Sequence, residues 1–171
     1  MNTKSGLTFL IRTAVLLALA VAFQSLGLNQ WVTGPVVNAI LGVASISTGW
    51  TSGVLVGLFT PWVALTMGIM KFAPAVPVII AGNIIYSLVF SLPYRFNKFF
   101  AGAAAAVAKF AVMTAGMKFI VAKNAKVPAP VMASLTVTQL YTALIGSAVA
   151  LLVLASLERA GFLGSKKSHD S

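Results

Sequence analysis

The chain has no cysteine, two acidic residues and one histidine among its 171 residues. Without cysteine there is no disulfide, no thiolate nucleophile and no Cys/His metal cluster. The two acids, Glu158 and Asp170, both fall in the last fourteen positions, so no carboxylate occurs from Met1 to Leu157. That excludes paired-carboxylate hydrolysis, carboxylate-held Mg²⁺ or Ca²⁺ and an Asp/Glu proton relay from that stretch. The single histidine, His169, lies in the polar tail. The reading is therefore of a protein that is not an enzyme, with no catalytic residue, no bound metal and no cofactor of its own.

Charge is scarce altogether. Only 8% of residues are charged, against about 25% in a soluble domain, while 59% are hydrophobic. Mean hydropathy is +0.98. Twelve Lys and Arg face the two acids, a net charge of +10. Such an excess can mark a nucleic-acid binder when it is clustered. Here the basic residues are scattered between apolar runs, and the reading is a membrane protein without a nucleic-acid partner.

A helix crossing the roughly 30 Å hydrocarbon layer needs about 20 apolar residues. No charge occurs between Arg12 and Lys71. Gly, Pro and polar punctuation divide the chain into six expected spans at about 7–27, 36–48, 51–70, 76–92, 99–122 and 131–157. The segments between them are Leu28–Pro35, the Gly49-Trp50 turn, Lys71–Pro77, Pro93–Lys98 and Lys123–Pro130. The fold class expected is an all-α integral membrane protein. It comprises one six-helix bundle over 1–157 and a polar tail over 158–171. Lys4, Arg12 and the run ending Ala20-Val-Ala22 also resemble a cleavable signal peptide. Five further apolar segments favour an uncleaved first helix.

An even number of spans puts both termini on one side. Lys4, Arg12, Arg95, Lys98, Arg159, Lys166 and Lys167 then share that side, against Lys71, Lys123 and Lys126 in the opposite loops. The positive-inside rule makes the termini cytoplasmic.

Small residues recur every three or four positions. Ala14, Ala18 and Ala22 line one face of the first helix, and Gly49, Gly53 and Gly57 do so in the third. Ala104, Ala108, Ala111 and Ala115 mark the fifth, and Ala143, Gly146 and Ala150 the sixth. In lipid such stripes allow close backbone approach. Packing within the bundle accounts for most of them, whereas the first-helix stripe is free to meet another subunit.

Polar residues at membrane depth are costly and mark a cavity or a partner. Tyr86 is one such candidate, and Asn38, Asn83, Thr138 and Gln139 are expected in the outer half of the bundle, below a loop carrying Trp31 and Thr33. Lys109 and Lys118 fall on opposite faces of the fifth span, nine residues apart at 100° each. Lys118 is one turn from the outer end and can snorkel. Lys109 is about 16 Å beyond Lys98 at 1.5 Å per residue. It must find backbone carbonyls, water or an external anion, and carbonyls freed near Pro61 are one source. Gly34-Pro35 and the Pro74/Pro77 pair suit helix starts whose amide dipoles favour an anion at the same end.

Six short spans, the Ala14/Ala18/Ala22 helix, Thr33-Gly-Pro-Val-Val-Asn-Ala-Ile40, the Gly49/Gly53/Gly57 helix with Thr60-Pro61, Pro77–Asn83 and Gln139–Gly146 together resemble a known family. It is the substrate-binding S components of energy-coupling factor (ECF) transporters. The resemblance covers about residues 7–157. It implies a subunit of a prokaryotic plasma-membrane importer for a vitamin or related micronutrient, with cytoplasmic termini. It also implies partners: a transmembrane T component and two ATPases that consume the ATP, the chain itself having no Walker motif. Carried over, Ala14, Ala18 and Ala22 form the docking face and the loop around Trp31 is the gate. Substrate contacts are expected from Trp31, Thr33, Asn38, Asn83, Tyr86, Lys109, Thr138 and Gln139. The N-terminal histidine of cobalt and nickel members is missing, and a cationic ligand is poorly matched to a site without acids. A ligand with a carboxylate or phosphate, or a neutral heterocycle stacked on Trp31 or Tyr86, fits better. Two other readings compete: a self-sufficient carrier or channel, and a structural membrane subunit with Lys109 merely buried.

Overall fold

The computed structural model of the chain describes residues 3–70, 72–123 and 126–163. Lys71, the tail residues 164–171 and the side chain of Lys4 lie outside the described residues, and with them the charges expected at Lys71, Lys166, Lys167 and Asp170. The chain is all-helical, 83% helix, with no strand among the described residues. The helices are α1 (Thr3–Ser25), α2 (Gln30–Ser47), α3 (Trp50–Thr66), α4 (Val76–Ser91), α5 (Lys98–Ala122), α6 (Ala129–Leu135) and α7 (Val137–Arg159), with a 3₁₀ turn, Ala73–Ala75, before α4. Four segments are long and apolar enough to cross a membrane: Ser5–Ser25, Ala73–Ser91, Lys98–Ala122 and Ala129–Arg159.

Helix α1 begins at Thr3 and α3 ends at Thr66, each four residues from the expected bound, and two larger departures follow. The Leu28–Pro35 segment is not a loop beyond Asn29. The Asn29 Oδ1 accepts from Trp31 N at 2.8 Å, and this cap starts α2 at Gln30. A side-chain acceptor at that position satisfies an amide that the helix leaves orphaned. Pro35 therefore sits inside the helix and not at its first position. The last span is also divided. Thr136 adopts φ −120°, ψ −95° and its hydroxyl donates to the Met132 carbonyl at 2.7 Å. That backbone lies outside the helical region, and α6 and α7 meet there.

α2 and α7 pack at close range along their small residues. A Cβ at Gly146 would stand 2.6 Å from the Pro35 carbonyl oxygen and 2.5 Å from Asn38 Cβ. The Ala143/Gly146/Ala150 ridge is thus intramolecular, as expected. The alanine ridge expected on α5 is displaced. Its buried row is Ala101, Ala105, Lys109, Met113 and Met117, whereas Ala111 and Ala115 are exposed. Lys109 therefore stands in the middle of the helix face that enters the core. Below it, Tyr86 and Phe90 of α4 and Tyr94 of the following turn form a buried column with ring centroids 5.6 and 5.9 Å apart. Tyr86 Oη donates to Ser147 Oγ at 2.9 Å, and Ser147 donates to the Gly102 carbonyl at 3.1 Å, tying α4, α7 and α5 together.

Both described ends of the chain lie at one end of the bundle. Ile11 and Arg12 share a groove there with Leu157, Phe162 and Leu163. Nearby, Lys98 Nζ meets Glu158 at 2.6 Å. The other end is formed by the C-terminal ends of α1, α3 and α5 and the starts of α2, α4 and α6.

Candidate functional site

That second end is hollow. A cavity of about 560 Å³ opens between the helix ends, within the 300–1,000 Å³ of small-molecule sites. Much of its wall is apolar, with Val37, Ile79, Phe72 and Leu135 among its residues, and Gln24, Thr33, Asn38, Thr60, Asn83, Lys109 and Gln139 supply polar groups.

The polar floor begins with a proline. Pro61 has no N–H, so inside α3 it leaves the Gly57 carbonyl without its helical donor. Asn83 Nδ2 of α4 replaces that donor at 3.2 Å. The approach is possible because residue 57 is glycine: a Cβ there would lie 2.8 Å from Asn83 Cβ. With its amide nitrogen committed, Asn83 turns Oδ1 toward α5, where it accepts from Lys109 Nζ at 2.8 Å. Asn38 Oδ1 of α2 accepts from the same nitrogen at 2.6 Å. Lys109, 3% exposed, is thus held by one amide from each of two helices. Tyr86 presents its ring to the ammonium at 5.7 Å to the centroid, a cation–π distance.

An ammonium has three donors, and the two amides occupy two. The third belongs to a side chain that lines the cavity. The acceptors differ from the expected ones: Lys109 is satisfied by side-chain amides, and the carbonyl freed by Pro61 reaches it only through Asn83. The Asn38 amide nitrogen and the Gln139 side chain have no hydrogen-bond partner among the described residues, and both residues line the cavity.

Of the eight expected substrate contacts, Thr33, Asn38, Asn83, Lys109 and Gln139 line this cavity and Trp31, Tyr86 and Thr138 do not. Trp31 is in the first turn of α2, 52% exposed, with its ring 6.2 Å from that of Tyr141. Tyr86 is fully buried behind Lys109. It therefore braces the ammonium and offers no face to a ligand. Thr138 is in the first turn of α7, next to Gln139, and helical geometry turns neighbouring side chains about 100° apart. Phe72, Gln24 and Thr60 are cavity residues that sequence reasoning missed. Only Thr60, beside Pro61, carried a signal, since a proline in a span marks unmet carbonyls. Gln24 Oε1 is buried without a hydrogen-bond partner among the described residues.

On the outside of the bundle, Ala14, Ala18 and Ala22 are exposed, flanked by exposed Leu7, Leu10, Ile11, Val15 and Leu19. The buried side of α1 is instead Thr13 and Ala20, and Thr13 donates to Ser52 Oγ of α3 at 2.8 Å. Lys118 is exposed, on the α5 face opposite Lys109. Among the described residues no group of three or more His, Cys, Asp or Glu stands together to hold a metal.

Comparison with protein families, curated proteins and solved structures gives no match to this chain. Its membrane character and all-helical fold stand on the structure and sequence alone: it is consistent with a multi-pass membrane protein with transmembrane helices.

Proposed function

We propose that the chain is the substrate-capturing S component of an ECF-type importer, taking a vitamin-like micronutrient from outside the cell. One observation carries the reading: an apolar helical bundle holds at one end a ligand-sized cavity floored by Asn38, Asn83 and Lys109. α2 and α3, with 18 and 17 residues, are about 26 Å long at 1.5 Å per residue. They complete six crossings with the four longer segments. The positive-inside rule assigns the end with Arg12, Arg95, Lys98 and Arg159 to the cytoplasm, so the cavity faces outward. The membrane is the prokaryotic plasma membrane. The exposed Ala14/Ala18/Ala22 face of α1 is the docking surface for the T component, because small residues permit close helix contact in lipid. Two ATPases attached to that component supply the energy.

Co-expression with a T component and its two ATPases tests this reading. Wild-type chain is expected to co-purify with them. Ala18→Trp is expected to abolish co-purification while leaving the melting temperature of the isolated subunit unchanged, since Ala18 is exposed on α1. Intact assembly in that variant refutes the docking face. Uptake into vesicles by the chain alone, without ATP, refutes the importer reading in favour of a self-sufficient carrier.

A further inference from the structure

The cavity is lined, among the described residues, by one basic side chain, Lys109, and by no acidic one. Among the described residues the only acid is Glu158, and it is paired with Lys98 at the opposite end of the bundle. Lys109 is nearly fully enclosed, and its two partners are neutral amide oxygens. These satisfy hydrogen bonds but leave the charge uncompensated, and a buried charge is costly unless it is paired. Protonated Lys109 therefore lacks one unit of negative charge, and the place for it is at the cavity wall. Two donors stand at that position, the third Lys109 N–H and the Asn38 amide nitrogen, which has no partner among the described residues, and Gln139 lines the same cavity. Away from this corner the wall is apolar at Phe72, Ile79 and Leu135.

We infer that the cavity takes a small organic monoanion, a single carboxylate on an apolar body, with the carboxylate on Lys109 and Asn38 and the body against Phe72 and Ile79. This rests on the reading of the cavity as a capture site, and names the class of molecule captured. A carboxylate brings one charge and two oxygens, matching one ammonium and the flanking amide donors. A phosphate monoester carries about −1.5 to −2 at neutral pH and would leave its second charge unpaired against an apolar wall. An inorganic anion would occupy the Lys109 corner alone and leave the rest of the cavity unused.

The test uses the purified full chain in detergent with matched probes: 4-phenylbutyrate against 4-phenylbutyramide, octanoate against octanamide, and phenyl phosphate and sodium chloride as alternative anions. Affinity is read by calorimetry and by thermal shift. The expected result is that each carboxylate binds about 10- to 100-fold tighter than its amide, the range of a charge-assisted hydrogen bond. Lys109→Met should erase that preference and Lys109→Arg should keep part of it. Small molecules released from gently purified protein and identified by mass spectrometry should be monocarboxylates, a measurement independent of whether Lys109→Met folds. Amides binding as tightly as acids, phenyl phosphate or chloride outcompeting both acids, absence of binding by every probe, or a neutral or cationic released molecule would each overturn the inference. A neutral released molecule still leaves the capture reading standing. Carboxylate binding by a chain that never assembles with a T component has the opposite meaning: it sinks the importer reading and keeps this one.

Discussion

Asn38→Asp is the most discriminating perturbation of the cavity. Asn38 Oδ1 lies 2.6 Å from Lys109 Nζ, and the Asn38 amide nitrogen has no partner among the described residues. The substitution keeps the acceptor, loses no internal donor bond and adds the missing negative charge at contact distance from the ammonium. A hydrogen bond between charged groups contributes about 1.5–3 kcal/mol, against about 0.5–1.5 kcal/mol for an ordinary one. Part of the gain is offset by burying the carboxylate. The net expectation for the ligand-free protein is about 1 kcal/mol of added stability. In a chain of this size that corresponds to about 2–4 °C in melting temperature. For the ligand the sign reverses. An incoming anion now meets a compensated lysine and a carboxylate of its own sign, so affinity for carboxylates falls by about 100-fold or more, the equivalent of two steps of about 1.4 kcal/mol. Thermal unfolding in detergent with and without 4-phenylbutyrate reads both effects in one experiment. A variant that is destabilised and still binds carboxylates would refute the charge argument, because it would show that Lys109 needs no counter-ion.

Other substitutions test the framework around that site. Asn83→Leu leaves both the Gly57 carbonyl and one Lys109 donor unmet, at about 1–3 kcal/mol each, so a loss of about 2–6 kcal/mol is expected in thermal or denaturant unfolding. Gly146→Val pushes a side chain into the Pro35 carbonyl and Asn38 Cβ, separating α2 from α7. Overpacking of this kind costs about 1–3 kcal/mol or more, and disulfide trapping between cysteines placed on the two helices should weaken in parallel. At the other end, Glu158→Gln breaks an exposed ion pair with Lys98 and should change stability by less than about 1 kcal/mol, with the difference shrinking in high salt. Burial raises the pKa of the Tyr94 phenol above its ordinary value, and the Glu158 carboxylate raises it further. The same Glu158→Gln change should therefore lower the Tyr94 titration midpoint seen by ultraviolet absorbance, while burial keeps it above that of a free tyrosine. A midpoint that does not move would remove Glu158 from the Tyr94 environment.

What could be read from residues alone was set by local chemistry. Apolar run lengths located the helices, because a segment without charge has few alternatives to a buried or lipid-facing helix. The distribution of acids located the charge problem at Lys109, because depth follows from counting residues along a helix. The errors have equally local causes. The Leu28–Pro35 segment looks like a loop because Gly and Pro are counted as breakers, but the Asn29 cap starts the helix ahead of them. The break at Thr136 is a departure of one residue's backbone from helical geometry, φ −120°, ψ −95°, which spacing does not reveal.

The sequence by itself determined an all-helical, membrane-suited chain with a single cation deep in an acid-free interior. Only the tertiary structure decided which groups meet that cation and which face a ligand. Asn38, Asn83 and Lys109 lie 26 to 71 residues apart, and no one-dimensional pattern encodes their convergence. Nor does it encode the Pro61–Gly57–Asn83 relay that turns one asparagine oxygen toward the lysine. Trp31 and Tyr86 are both aromatic and both near the right depth. Only packing turned the first outward and sealed the second behind the ammonium.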